Sequence, residues 1–133
     1  MEYNILIVED EVGIRETISV FMKNQGYHVY VAENGVAGLQ LLQEKDIHLA
    51  IVDVMMPVMN GYEATKMIRT MDRSDAKKIP IIAMTANAFV EDRIKSKEAG
   101  MNEHVSKPID MKLLVKIIAE LAGKIKSVRI KDE

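Results

Sequence analysis

The chain has 133 residues, the size of one domain, and is 48% hydrophobic but only 5% aromatic, so its core must be aliphatic, with ten methionines filling irregular gaps. A net charge of −2 with mixed signs is a poor match for the clustered positive face of a nucleic-acid binder. The lack of cysteine excludes disulfides, thiolate metal sites and a Cys nucleophile, no apolar run approaches the ~20 residues that span a bilayer, and Met1-Glu2-Tyr3-Asn4 is no signal peptide, so a soluble cytoplasmic domain is expected.

Asn4 to Val8 is a short, β-branched apolar run and predicts a buried first strand, ending in the acids Glu9, Asp10 and Glu11. Ile14, Ile18, Phe21 and Met22 then recur at helical spacing until Gly26 gives a stop signal. His28 to Ala32 alternates as a second strand, and a helix through Ala37, Leu41 and Leu42 follows Asn34-Gly35. His48 to Val52 predicts a third strand ending at Asp53, with Met55, Met56 and Met59 in the loop beyond, read as packing filler rather than a binding rim. Asn60-Gly61 turns the chain into a third helix, with Ala64, Met67, Ile68 and Met71 on one face.

Residues 72–78 are a polar connection, and Ile79 to Met84 predicts a fourth strand closed by Thr85, with Pro80 tolerable near its start. Residues 87–99 predict a polar fourth helix stopped by Gly100, then Glu103 to Ser106 a very short fifth strand, followed by Lys107-Pro108. A last helix begins near Asp110, a plausible N-cap, with Leu113, Leu114, Ile117, Ile118 and Leu121 on its apolar stripe. The domain is expected to cover 1–123, leaving 124–133 as a basic tail or linker. Five strands alternating with five helices predict an α/β fold with a parallel sheet and helices on both faces.

Asp53 alone reads as a turn residue, because Asp commonly hydrogen-bonds locally at such positions. In a parallel sheet, however, the strand ends share one edge, and that edge then carries Glu9, Asp10, Asp53, Thr85 and Lys107. Crowded carboxylates call for a neutralising cation. With only oxygen ligands on offer, a hard one such as Mg²⁺ fits, and His28, His48 and His104 are not spaced as a transition-metal set. A carboxylate can attack phosphorus, a hydroxyl can hydrogen-bond a phosphoryl oxygen and an amine can neutralise its charge, so the constellation suits phosphoryl transfer.

Four stretches together resemble the receiver domain of two-component response regulators: Ile5-Leu6-Ile7-Val8-Glu9-Asp10-Glu11, Asp53 through Gly61, Met84-Thr85-Ala86 and Ser106-Lys107-Pro108. The resemblance covers about residues 3–122 and implies a doubly wound, flavodoxin-like (βα)5 sandwich with strand order 2-1-3-4-5, an order for which a chemotaxis receiver is a standing example. It implies Asp53 as phosphoacceptor, and Asp10, Glu9, Asp53 and the main-chain carbonyl of Met55 around Mg²⁺, with Mn²⁺ as a substitute. It further implies Thr85 as switch hydroxyl, Lys107 as the phosphoryl-contacting amine and a cis bond before Pro108. Receivers often carry Tyr or Phe three residues before the lysine; here His104 stands there, so a smaller, polar switch residue or an ordinary strand histidine are both open. The tract Ala99 to Pro108 is similar to receivers fused to hybrid histidine kinases.

The expected function is a regulatory phosphorylation switch, not an enzyme with external turnover. A histidine kinase or histidine phosphotransfer domain would be its phosphodonor, and homodimerisation through the fourth and fifth helices follows from the resemblance. Neither nucleic acid nor membrane is an expected partner. The alternative is an aspartyl-phosphate phosphatase of the haloacid dehalogenase type, but Met55 stands where such enzymes usually carry a second Asp. A flavodoxin is disfavoured because Glu9-Asp10-Glu11 would repel a flavin phosphate.

Overall fold

The computed structural model describes residues 3–86 and 90–132, with side chains at 3–86 and 91–123. Strands and helices alternate: β1 (Asn4–Val8), α1 (Val12–Asn24), β2 (His28–Ala32), α2 (Gly35–Glu44), β3 (Leu49–Asp53), α3 (Gly61–Arg69), β4 (Ile81–Thr85), α4 (Val90–Ala99), β5 (Glu103–Ser106) and α5 (Met111–Asp132). All neighbouring strands pair in parallel, in the order β2-β1-β3-β4-β5. The winding reverses between β1 and β3, and a crevice opens beyond their carboxyl ends, where ligands of doubly wound sheets bind.

Burial follows position in the sheet. Every residue of β3 and β4 is buried, because each has a strand on either side and helices on both faces. The edge strand β2 is largely exposed or half-buried. Leu6, Val8, Val52 and Ala83 pack on one face against Leu42 of α2 and Ile68 of α3. Ile5, Ile7, Ile51 and Met84 pack on the other against Ile18 and Met22 of α1 and Leu114 and Ile118 of α5. Each buried Val, Leu, Ile or Met side chain contributes roughly 1.5–3 kcal/mol, so this double layer is held mainly by aliphatic burial, with tyrosines only at its margins.

The start and stop signals act as their chemistry suggests. The Asn34 side chain accepts from Ala37 N at 2.8 Å, and Asn60 and Glu63 form a reciprocal capping box. Asp110 Oδ1 accepts from the amides of Lys112 and Leu113, and Gly26 adopts φ 91° just after α1. β4 begins at Ile81 rather than Ile79; Pro80 has no N–H for the ladder, although its carbonyl accepts from Ala50 N at 2.9 Å. β3 begins at Leu49 because His48 turns its ring back, Nδ1 accepting from Asn4 N at 2.9 Å. The fourth helix starts at Val90, and the residues before it in the expected span, 87–89, lie outside those described.

Three stripe residues are not where periodicity put them. Phe21, Met67 and Leu113 are 42%, 48% and 46% exposed. Each lies at the edge of a helical stripe wider than the sheet contact, and the small Ser19 and Thr65 take the buried positions beside the first two. Among the described residues no helix is long and apolar enough to cross a membrane.

The polar connection after α3 is held by two arginines. Arg73 donates to the carbonyls of Leu42 and Ile47 and pairs with Asp75. Arg69 donates to the carbonyls of Gly100 (2.6 and 3.0 Å), Ile79 (2.7 Å) and Ala76 (3.1 Å), and to Asn102 Oδ1 at 2.9 Å.

Candidate functional site

At the carboxyl edge the residues following the strands converge. Side chains alternate along a strand, and Glu9 and Asp53 continue the rows of Ile5–Ile7 and Ile51, toward α1 and α5. Lys107 comes to the same side: its Nζ lies 2.8 Å from Glu9 Oε1 and 3.3 Å from Asp53 Oδ2. Carboxylate oxygens of Glu9, Asp10 and Asp53 lie within 4.8 Å of one another. Glu9 and Asp53 are buried, while Asp10 is exposed at the mouth.

The acids are held by main-chain donors. Met55 N donates to Asp53 Oδ1 at 3.1 Å, and Glu11 N to Glu9 Oε2 at 3.2 Å. Both oxygens that face Lys107, Glu9 Oε1 and Asp53 Oδ2, are buried and lack a well-aligned hydrogen bond. Three oxygen donors so close, two of them buried, fit a hard divalent cation, which would supply the charge that one ammonium group leaves uncompensated.

The electrostatics match that crowding. Burial, and then the hydrogen bonding and charge of Glu9, push the Asp53 carboxyl up to about 7, against the pull of Lys107 and the Met55 amide. Burial works against ionisation of Asp10, but hydrogen bonds with Glu9 and Asp53 and the charge of Lys107 outweigh it and leave Asp10 below its usual range. Burial disfavours the Lys107 ammonium, yet its contacts with Glu9 and Asp53 prevail and raise its pKa. The cation therefore stays charged where it is needed.

Thr85 ends β4, buried, with Ser106 as its partner in the sheet, and its carbonyl accepts from Lys107 N at 2.8 Å. The peptide bond between Lys107 and Pro108 is cis. His104 is half-buried on β5 opposite Ala83, so it shares a sheet face with Thr85 and borders α4 beside Arg93, Ser96 and Lys97. The structure thus brings Glu9, Asp10, Asp53 and Lys107 into one cluster and places Thr85 at the same edge, with His104 further down the sheet.

The loop after β3 shows what the sequence concealed. Gly61 N donates to Val54 O at 3.0 Å, and a Cβ at Gly61 would collide with the Asp53 carbonyl. Its signal was that of a turn glycine, but close approach to the Asp53 backbone requires it. Val58, 98% exposed, has φ 72°, and Met59 N bonds Pro57 O across it at 2.8 Å. A β-branched residue in that region is strained, as functional loops often are. Met56 is buried and Met59 packs against Gly35, but Met55 is 71% exposed, so the expectation of filler fails there. Arg15 of α1, which carries no motif in the sequence, donates from Nη1 to the Glu9 main-chain carbonyl at 2.8 Å.

The family profile described as response regulator receiver domain matches residues 5–119. Among curated proteins, the probable transcriptional regulator ycf29 of Pyropia yezoensis is 35% identical over 125 residues, covering 93% of this chain and 55% of that protein. The chain spans about half the length of the curated relatives it matches first. Among solved structures, Vibrio cholerae chemotaxis protein CheY4 superposes with a TM-score of 0.85 at 30% identity, over 91% of this chain and 99% of that one. The receiver domain of sensor histidine kinase PA1611 from Pseudomonas aeruginosa, with a magnesium ion coordinated in its active-site cleft, has a TM-score of 0.82 at 31% identity, over 92% and 99%.

Proposed function

The chain belongs to the response regulator receiver domain family, and on that footing we propose that it is a signalling switch that accepts a phosphoryl group on Asp53. The observation that carries this reading is the Lys107 ammonium bridging Glu9 and Asp53, with the Asp10 carboxylate beside them. An Asp53 oxygen attacks phosphorus, the N–P bond of a donor phosphohistidine breaks, and the imidazole departs. The donor is a histidine kinase or a histidine phosphotransfer domain.

Glu9, Asp10, Asp53 and the Met55 carbonyl are the groups that would hold Mg²⁺, or Mn²⁺ in its place; when bound, the cation neutralises charge on the phosphoryl oxygens. Lys107 contacts one phosphoryl oxygen and Thr85 donates its hydroxyl to another. Phosphorylation adds roughly −1.5 to −2 charges at neutral pH, and drawing Thr85 and Lys107 toward them alters the α4–β5–α5 face. His104, on the sheet face of Thr85, is the residue through which that change reaches α4. Partner binding, including homodimerisation through α4 and α5, responds to this face, and residues 124–133, through which α5 continues as far as Asp132, are the tail or linker of a 1–123 receiver. Met55, where a phosphatase of the haloacid dehalogenase type would need its second acid, brings no proton donor, so phosphate stays on Asp53 as a signal rather than turning over.

Incubation with Mg²⁺ and acetyl phosphate, followed by intact mass measurement, tests the reading. A single phosphoryl adduct is expected, absent in Asp53→Asn. Repeated turnover of sugar phosphates without an adduct would overturn it.

A further inference from the structure

We propose that Arg15 is a positioning residue for the metal-holding acids: its grip on the Glu9 carbonyl fixes the turn between β1 and α1 on which Glu9 and Asp10 sit. This inference rests on the reading that Glu9, Asp10 and Asp53 hold a divalent cation.

Each polar atom of Glu9 faces a donor or an acceptor. Its N–H reaches Ala32 O at 3.1 Å, Oε2 accepts from Glu11 N, Oε1 faces Lys107, and the main-chain carbonyl accepts from Arg15 Nη1 at 2.8 Å. The first of these belongs to the β1–β2 ladder and the next two hold only the side chain. The carbonyl belongs to the peptide joining Glu9 to Asp10, so Arg15 is what sets the plane from which Asp10 departs.

The start of α1 makes that tie necessary. Glu11, its N-cap, makes no side-chain cap hydrogen bond, and the first turn contains no acid. By contrast α2, α3 and α5 are secured by Asn34, Asn60 and Asp110. Among the four helices whose N-caps are described, the one that must hold the acidic turn in register is therefore the one without a side-chain cap, and Arg15, in its first turns, ties the helix to the preceding strand end instead. Removing a partner that orients metal ligands without touching the metal typically costs about 10- to 100-fold in affinity or activity.

Charge and geometry predict opposite signs, which makes the idea decidable. Arg15 is a cation on the main chain of the acidic turn, so by charge alone its removal would tighten Mg²⁺ binding. If it positions the turn, removal weakens binding. Mg²⁺ is titrated into the 133-residue chain and its Arg15→Gln and Arg15→Lys variants by calorimetry, with amide exchange at Asp10 to Val12 in the metal-free proteins.

The Kd should rise about tenfold in Arg15→Gln and about threefold in Arg15→Lys, which keeps the charge but has a shorter reach. Exchange should accelerate in the turn and not in α5, separating positioning from general loosening. An unchanged or lower Kd in Arg15→Gln overturns the proposal. If Arg15→Gln does not fold, Arg15→Lys decides alone: a raised Kd supports the proposal and an unchanged one overturns it. If the unsubstituted chain binds no Mg²⁺, the metal reading falls and this inference with it; if it binds and the variants match it, only the role of Arg15 falls.

Discussion

Asp53 lies under a buried roof with a second carboxylate against it, and one lysine offsets only part of the resulting repulsion. Its pKa is raised from 3.8 to about 7, so between those values the folded chain holds a proton that the unfolded chain has released. The stability Asp53 contributes is thus complete at the acid end and drains away as pH rises toward 7. In metal-free protein, Asp53→Asn, which cannot ionise, is expected to melt above the unsubstituted chain at pH 8 and close to it at pH 4. Excess Mg²⁺ at pH 8 should restore the unsubstituted chain and not the variant. Thermal denaturation with and without chelator measures both; parallel melting curves across that range would refute the assignment.

Among the elements, α3 ties local sequence most closely to the site. Its capping box fixes where the helix starts, and that start places Gly61 directly behind the Asp53 carbonyl. Asn60→Ala should cost about 1 kcal/mol, or roughly 4 °C of Tm. Because the same start leads out of the strained turn at Val58, the 133-residue chain with this substitution should also lose protection of the Met55 amide in hydrogen exchange. Helical periodicity located this element correctly but misplaced Met67, as it did Phe21 and Leu113. A period of 3.6 marks a stripe, while how much of the stripe a sheet covers depends on how the helix crosses it.

Across the whole molecule, Arg69 is the fastening at the edge opposite the acids. One guanidinium meets main-chain carbonyls of the α3–β4 connection and of the α4–β5 turn, and also the Asn102 side chain, whose Oδ1 accepts from Ile81 N. Arg69→Met would strand several of these acceptors at once and should cost about 3 kcal/mol or more, lowering Tm by roughly 12 °C or more. Since these contacts lie at the amino ends of β4 and β5, Asp53 should still form its adduct with acetyl phosphate below the melting transition. Loss of the adduct in folded Arg69→Met would show that the two edges are coupled.

The sequence by itself determined the five strands, the parallel sheet and the edge on which Glu9, Asp10, Asp53, Thr85 and Lys107 gather. Those features are local: apolar runs, capping residues and strand-end chemistry carry their own signals. Tertiary structure alone decided that Lys107 bridges Glu9 and Asp53, that Gly61 must lack a side chain, and that Arg15 and Arg69 act on main-chain carbonyls outside their own helices. Such contacts depend on how the packed sheet and helices set the path of each turn and strand end. A main-chain carbonyl looks alike at every residue, so nothing in an arginine's own neighbourhood announces which one it will hold.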